Sequence, residues 1–347
     1  MLSLSFTQQS LSEWQKIAIE KLTLPRLASW ERSLWQFVAD WYSPATTIEL
    51  HTSGSTGAPK TIMVNKEMMR LSAQKTLDFF KLKPGDTALL CLSIDYIAGK
   101  MMVVRAIEGG LRLLAVEPNS EPLNNISQEI DFAAMVPMQV FEVMKTDKPL
   151  NRVKTLLIGG GAVSSKLQAA LQSVECTCYE SYGMTETVSH IALRKINGKN
   201  RQDFFIPMKG IEVSVDKRDC LTISEPGFLS QTLHSNDIVE LLPDHRFRIR
   251  GRIDNVINSG GIKIQPEEIE AQIASFFTHP YAVTSLPDER LGERLVLVAE
   301  ELVSPEQLDV INALLPTYHR IHAVYYLADL SKTPNGKLDR KGIRATL

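Results

Sequence analysis

Apolar positions recur along this chain with two different spacings, and the alternation between them is the first sign of its architecture. Near the start, Leu11, Trp14, Ile17, Ala18 and Leu22 repeat at helical spacing, and Trp30, Leu34, Trp35, Phe37 and Val38 predict a second helix that Pro44 closes. Residues 47–52 and 61–64 read as strands on either side of a loop, and 66–80 as a helix of good helix formers. A turn at Leu82-Lys83-Pro84-Gly85-Asp86 then leads into a strand over 87–92. From there short apolar runs and helical stretches alternate. Helices are predicted over 101–109 and 164–171, and strands over 111–116, 132–136, 155–158 and 175–180. That alternation predicts α/β layers with a largely parallel sheet. Beyond Pro207 and Gly210 the period becomes two, so that 211–215 and 220–224 predict a small β-rich part. Strands over 282–285 and 295–299 predict a further compact α/β unit.

Composition narrows what such a chain can do. Its 347 residues, 44% apolar and 22% charged, suffice for two domains with a sizeable core. A net charge of -2 without any Lys/Arg run argues against a nucleic-acid partner, which leaves small molecules. No apolar run approaches the length of a membrane span, and the first ten residues lack the basic start and apolar core of a signal peptide, so the expected location is the cytoplasm. Cys91, Cys176, Cys178 and Cys220 are too few and too scattered for a disulfide framework. Cys176 and Cys178 fall on one face of a strand, with no ligand pair nearby to complete a zinc site, and are expected to be core thiols.

Candidate chemistry concentrates in loops. His51-Thr52-Ser53-Gly54-Ser55-Thr56-Gly57-Ala58-Pro59-Lys60 places four hydroxyls, two glycines and a terminal lysine within ten residues. Such a loop can present many donors to one anion, as a phosphate cradle requires. Its lysine follows a proline, so the Walker strand-loop-helix arrangement is not implied. Gly159-Gly160-Gly161 ends an apolar strand and permits close backbone approach by a flat ligand. Ser181-Tyr182-Gly183-Met184-Thr185-Glu186-Thr187 follows another strand. Glu186 offers the hard oxygen that Mg²⁺ prefers, and Thr185 a donor for a phosphate oxygen. Near the end, Asn335-Gly336 turns the chain tightly and projects Lys337 from a loop.

In this order, these motifs resemble those of the adenylate-forming superfamily: acyl-CoA synthetases, luciferases and peptide-synthetase adenylation domains. The resemblance implies that Thr52, Ser53, Gly54, Ser55, Thr56, Gly57 and Lys60 bind the phosphates of ATP. Gly159, Gly160, Gly161, Tyr182 and Gly183 would surround the adenine, Thr185 would meet the phosphate, and Glu186 would hold Mg²⁺. His234-Ser235-Asn236-Asp237 is similar to the superfamily's aspartate motif, usually Thr-Gly-Asp. Ser235 and Asn236 depart from it, while Asp237 stands in place for the ribose hydroxyls. Residues 248–270 resemble the superfamily's hinge. Arg252 would bind ribose or phosphate oxygens, Asp254 would be the pivot, and Ser259-Gly260-Gly261 would approach the pantetheine channel of CoA. Lys337 would be the lysine of the adenylation step. The implied organisation is a large N-terminal domain over 1–253 and a small mobile α/β domain over 254–347.

The acid is implied by a narrower resemblance. Tyr96 replaces the histidine of the superfamily's usual His-x-x-Gly, with Gly99 and Lys100 following, and the run 187–192 looks most like the o-succinylbenzoate-CoA ligases of menaquinone (vitamin K2) biosynthesis. In that branch the succinyl carboxylate reacts and the aromatic carboxylate stays free, so the acyl site needs a cation or a donor-rich partner. Ser189 and His190 are the first candidates, with Lys100, Tyr96 and Arg194 beside them. The implied activity is an AMP- and pyrophosphate-forming acid-thiol ligase using ATP, Mg²⁺ and CoA. A ligase for another aryl or fatty acid, a module loading a carrier protein, and a non-catalytic ATP-binding relative stay open as alternatives. The stretch before the phosphate loop is shorter than is usual in the superfamily. A homo-oligomer that completes the acyl site is compatible with that.

Overall fold

The computed structural model describes residues 1–6, 11–52, 60–146, 150–226, 229, 231–332 and 338–347; the side chains of residues 11, 12, 51, 52 and 60 lie outside that description. The chain divides into two compact units: 1–211 with 225–230, and 212–224 with 231–347.

The first unit is built on a sheet of eight strands among the described residues. Their spatial order is Leu2–Ser5, Arg112–Ala115, Thr87–Leu90, Ile130–Met135, Val153–Ile158, Thr177–Gly183, His190–Lys195, Ile206–Pro207. The five strands from Arg112–Ala115 to Thr177–Gly183 are parallel, and the outer pairings are antiparallel. The expected parallel sheet is therefore its centre. Buried on both faces, the middle strands are near-continuous apolar runs, as parallel sheets require. The connection leaving the carboxyl end of Thr87–Leu90 runs to one side and that leaving Ile130–Met135 to the other. The crevice outside strand ends at such a reversal is where open α/β sheets bind ligands. Gln139, just beyond Ile130–Met135, ties the neighbouring strand end down, its buried amide donating to the carbonyls of Cys91 (3.0 Å) and Asn119 (2.8 Å).

The two early helices form over Leu11–Leu22 and Ser29–Trp41, with Trp14, Ala18, Leu34, Trp35, Phe37 and Val38 buried as their spacing predicts. Thr47–Thr52 and Lys60–Asn65 pair antiparallel. Helix Lys66–Phe80 follows, capped by the Asn65 side chain on the amide of Glu67 (2.7 Å). The next helix starts four residues before its expected position, at Ile97, because Tyr96 already adopts the extended N-cap conformation. Gly99 allows this. A β-carbon there would lie 2.2 Å from the carbonyl oxygen of Ser93. All four cysteines are buried free thiols, Cys176 and Cys178 among them.

The second unit contains an antiparallel sheet of Glu212–Val215, Cys220–Ser224, Leu233–Leu241 and Phe247–Arg252. It also contains a five-stranded sheet, in which Ile257–Ser259, Ile262–Ile264, Tyr281–Asp288 and Gly292–Ala299 are joined by Ala323–Tyr326, parallel to Gly292–Ala299. Helices Pro266–Ile273 and Pro305–Leu314 bury Ile269, Ile273 and Ile311 against Val283, Leu295 and Leu297.

Candidate active site

Parallel strands deliver their carboxyl ends to one edge of the sheet. At that edge lie residues 91–96, Val136, Gly159–Gly160–Gly161 and the turn after Gly183, so Tyr96, the three glycines, Tyr182, Gly183, Thr185 and Glu186 stand along the same edge. Gly160 has φ +80°, and a β-carbon on Gly159 would lie 2.5 Å from Ser181 Oγ. Gly183 is tighter: a β-carbon would meet the carbonyl oxygen of Ser189 at 2.3 Å and His190 Cα at 2.5 Å, both backbone. Between them Thr185–Thr187 forms one turn of 3₁₀-helix, followed by Val188 at φ +64°. Such an angle is costly for a β-branched residue and persists only when its surroundings fix it. Here Thr187 Oγ1 receives the amide of Met184 (3.0 Å) and donates to the carbonyl of Ser189 (2.7 Å). The strained turn aims Ser189 and His190 into the unit.

What they meet there is a buried cation. Arg105, on helix Ile97–Glu108, is only 2% exposed. Its Nε donates to Thr76 Oγ1 (3.2 Å) and its Nη2 to Ser189 Oγ (2.6 Å), with His190 Nδ1 at 3.5 Å. His190 Nε2 lies 3.2 Å from Thr76 Oγ1, and Ser189 Oγ 3.3 Å from His190 Nδ1. Every partner is neutral, and Nη1 has none among the described residues. Buried guanidinium groups are ordinarily paired with carboxylates. With no acid paired to it among the described residues, burial pushes Arg105 down to about 10, still charged near neutrality. Burial, then the Arg105 charge, drive His190 well below the usual imidazole value, so the ring is neutral.

The other expected groups sit as follows. Lys100 is half-buried, its Nζ donating to the carbonyl of Ile94 (2.6 Å) above the Phe37 ring, and Tyr96 is exposed at the helix start. Arg194 is held by Glu180, its Nε at 3.0 Å from Oε2, while Oε1 takes the amide of Val163. It is thus committed to a carboxylate of the protein. Glu186 is exposed, and no cluster of three or more His, Cys, Asp or Glu exists among the described residues. A lone hard carboxylate fits Mg²⁺, which keeps waters and phosphate oxygens as its remaining ligands. Ser53, Gly54, Ser55, Thr56, Gly57 and Lys337 lie outside the described residues. Of Thr52 and Lys60 the backbone pairing is described.

In the second unit Asp237 lies within a strand opposite Arg252, whose Nη1 reaches its carboxylate at 3.1 Å and whose Nη2 reaches Asp254 at 2.8 Å. Asn236 Nδ2 also donates to both Asp254 oxygens at 3.2 Å. Burial opposes ionisation of Asp254, but these donors win and hold its carboxyl below the usual range. Ser259 is buried, and Gly260 (φ +59°) and Gly261 (φ +83°) make the turn that follows it.

A family model described as AMP-binding enzyme matches residues 32–227, more than half of the chain. The chain belongs to that family. The chain is 33% identical to an acyl-CoA synthetase (AMP-forming)/AMP-acid ligase II-like protein from Dyadobacter fermentans, over 99% of both chains with a TM-score of 0.65. It is 26% identical to the 2-succinylbenzoate–CoA ligase of Salmonella typhimurium over 78% of this chain, and spans 61% of that relative's length. The o-succinylbenzoate coenzyme A synthetase of Bacillus subtilis, solved with ATP and magnesium ion, shares its fold with a TM-score of 0.73 at 20% identity, over 84% of this chain and 68% of that one. The adenylate-forming fold expected from the motifs is therefore present. The sequence motifs did not point to Arg105 or Thr76. The available signal was an arginine set in the apolar run Met101-Met102-Val103-Val104-Arg105-Ala106, where helical spacing leaves it no solvated face.

Proposed function

We propose that this protein is an ATP-dependent acyl-CoA ligase that acts through an acyl-adenylate, and that its acid is o-succinylbenzoate, activated for menaquinone biosynthesis in the cytoplasm. The observation that carries the choice of acid is Arg105: a buried guanidinium whose partners among the described residues are all neutral, with Nη1 unused by any of them, is a receptor for an anion that these residues do not supply. The ring carboxylate of o-succinylbenzoate is such an anion, and a charge-assisted hydrogen bond to it offsets the desolvation of both groups. A monocarboxylic acid would spend its one carboxylate there and have none left to react.

In this reading the succinyl carboxylate attacks the α-phosphorus of ATP and pyrophosphate departs. Thr185 donates to the α-phosphate oxygen that gains charge, and Lys337 neutralises charge between carboxylate and phosphate. Glu186 holds Mg²⁺, which when bound offsets phosphate charge. Lys60 and the hydroxyls and amides of the preceding loop hold the β- and γ-phosphates, Gly159 to Gly161 and Tyr182 the adenine, and Asp237 with Arg252 the ribose. The segment beyond Asp254 then turns, Lys337 leaves, and the CoA thiolate approaches past Ser259-Gly260-Gly261, attacks the acyl carbonyl and displaces AMP.

The test is mass spectrometry after incubation with ATP, Mg²⁺ and CoA and an equimolar mixture of o-succinylbenzoate, benzoate and medium-chain acids. o-Succinylbenzoyl-CoA is expected to dominate. AMP and thioester formed from another acid would refute the substrate, and absence of acid-dependent pyrophosphate would refute the enzyme.

A further inference from the structure

Thr76 stands outside every motif, on helix Lys66–Phe80, yet it is fully buried at the centre of the Arg105 cluster. A hydroxyl has one proton and two acceptor sites. The backbone takes the proton, since Thr76 Oγ1 donates to the carbonyl of Ser72 at 3.2 Å. Its acceptor sites then receive Arg105 Nε and His190 Nε2, both at 3.2 Å. His190 must therefore carry its hydrogen on Nε2, which makes Nδ1 the acceptor. Nδ1 lies 3.3 Å from Ser189 Oγ, and that oxygen accepts Arg105 Nη2 at 2.6 Å. One hydroxyl thus holds the guanidinium directly at Nε and, through the imidazole and Ser189, at Nη2.

We propose that Thr76 is the positioning residue for Arg105: by anchoring Nε and setting the His190 tautomer it fixes the guanidinium so that Nη1 is the donor offered to the second carboxylate of the acid. This rests on the dicarboxylate reading above. A guanidinium on a long side chain has many rotamers, and an anion gains most when the donor is already fixed. Thr76 touches no substrate atom and acts only through Arg105.

The experiment compares Thr76→Val, which keeps shape and removes the hydroxyl, with Thr76→Ser, which keeps the hydroxyl. Steady-state thioester formation is measured with o-succinylbenzoate and with 4-oxo-4-phenylbutanoate, the same acid without its ring carboxylate. For Thr76→Val, KM for o-succinylbenzoate is expected to rise about 10- to 100-fold, the range for impairing a hydrogen bond to a charged group. KM for ATP and kcat/KM for the monoacid should stay within about threefold, and Thr76→Ser should restore the KM. A general structural defect would move the ATP and monoacid constants as well, and that result overturns the proposal. So does an unchanged KM for the dicarboxylate. If Thr76→Val does not fold, Thr76→Ala makes the same comparison: at least a threefold, acid-selective rise in KM supports the proposal, and no rise overturns it. Failure of the wild-type protein to use o-succinylbenzoate would instead fall on the substrate assignment.

Discussion

Replacing Arg105 with methionine should make the unliganded protein more stable while abolishing its response to the dicarboxylate. The guanidinium is held down from 12.5 to about 10 by burial alone. At about 1.4 kcal/mol per pKa unit, the charged form costs the apo fold on the order of 3 kcal/mol. Methionine fills similar volume without charge. Its cost is the loss of hydrogen bonds to Thr76 and Ser189, but both oxygens keep neighbours, Thr76 the Ser72 carbonyl and His190, Ser189 the His190 ring. With about 1 kcal/mol lost for each of those two bonds, the net gain is about 1 kcal/mol, or a rise in melting temperature of about 2 to 4 °C. Thermal unfolding followed by fluorescence, with and without o-succinylbenzoate, reads both terms. Acid at 100 times its Kd should add about 2.7 kcal/mol to the wild type and nothing to the variant. An Arg105→Met protein that melts below the wild type without acid, or is still stabilised by it, would show that Arg105 is neither a burden on the apo fold nor the acid's partner.

Three further outcomes follow from the packing. Neutral buried His190 should make stability fall with acidification: the unfolded chain protonates near about 6.5 and the folded one well below, so the contribution is full above that value and declines beneath it by up to ~1.4 kcal/mol per pH unit. Urea midpoints from pH 7.5 to 5 should show a shallower slope for His190→Gln, and an unaltered slope would count against a neutral ring. Gly183→Ala should cost about 2 to 3 kcal/mol, because its β-carbon would meet backbone at 2.3 and 2.5 Å; wild-type stability in denaturant would contradict the close strand approach. Arg340→Met should destabilise the second unit by about 3 kcal/mol, since it strands Glu270, which Arg340 grips through both oxygens at 2.7 Å. Chemical denaturation checks this, and a loss under about 1 kcal/mol would show the pair to be dispensable.

The elements most legible in the sequence are those whose residues leave one physical option. The apolar runs of the central strands and the helix Lys66–Phe80 fall where their periods place them, because burial on both faces or on one stripe dictates the pattern. Gly159 and Gly183 stand where a β-carbon would lie 2.5 Å from Ser181 Oγ and 2.3 Å from the Ser189 carbonyl oxygen, whereas one on Gly161 would make only ordinary contacts. The start of the helix at Ile97 was less legible, since Tyr96 caps it by backbone conformation alone, without a side-chain hydrogen bond. Asp237 is legible only as a motif carboxylate; that it lies in a strand opposite Arg252 shows only in the fold, because the pairing joins residues fifteen apart. The Arg105 cluster was hidden by distance. Thr76, Arg105 and His190 come from three separate elements, and only folding shows that the lone arginine of an apolar helix meets no acid among the described residues.

The central claim, that a buried arginine selects a dicarboxylic acid for adenylation, is tested most directly by one ratio: kcat/KM for o-succinylbenzoate over that for 4-oxo-4-phenylbutanoate, in the wild type and in Arg105→Met. The wild-type ratio should be about 100 or more, as expected when an analogue leaves a buried charge unpaired, and should collapse to below about 10 in the variant. A wild-type ratio near one, or a ratio that survives the loss of Arg105, would contradict the claim.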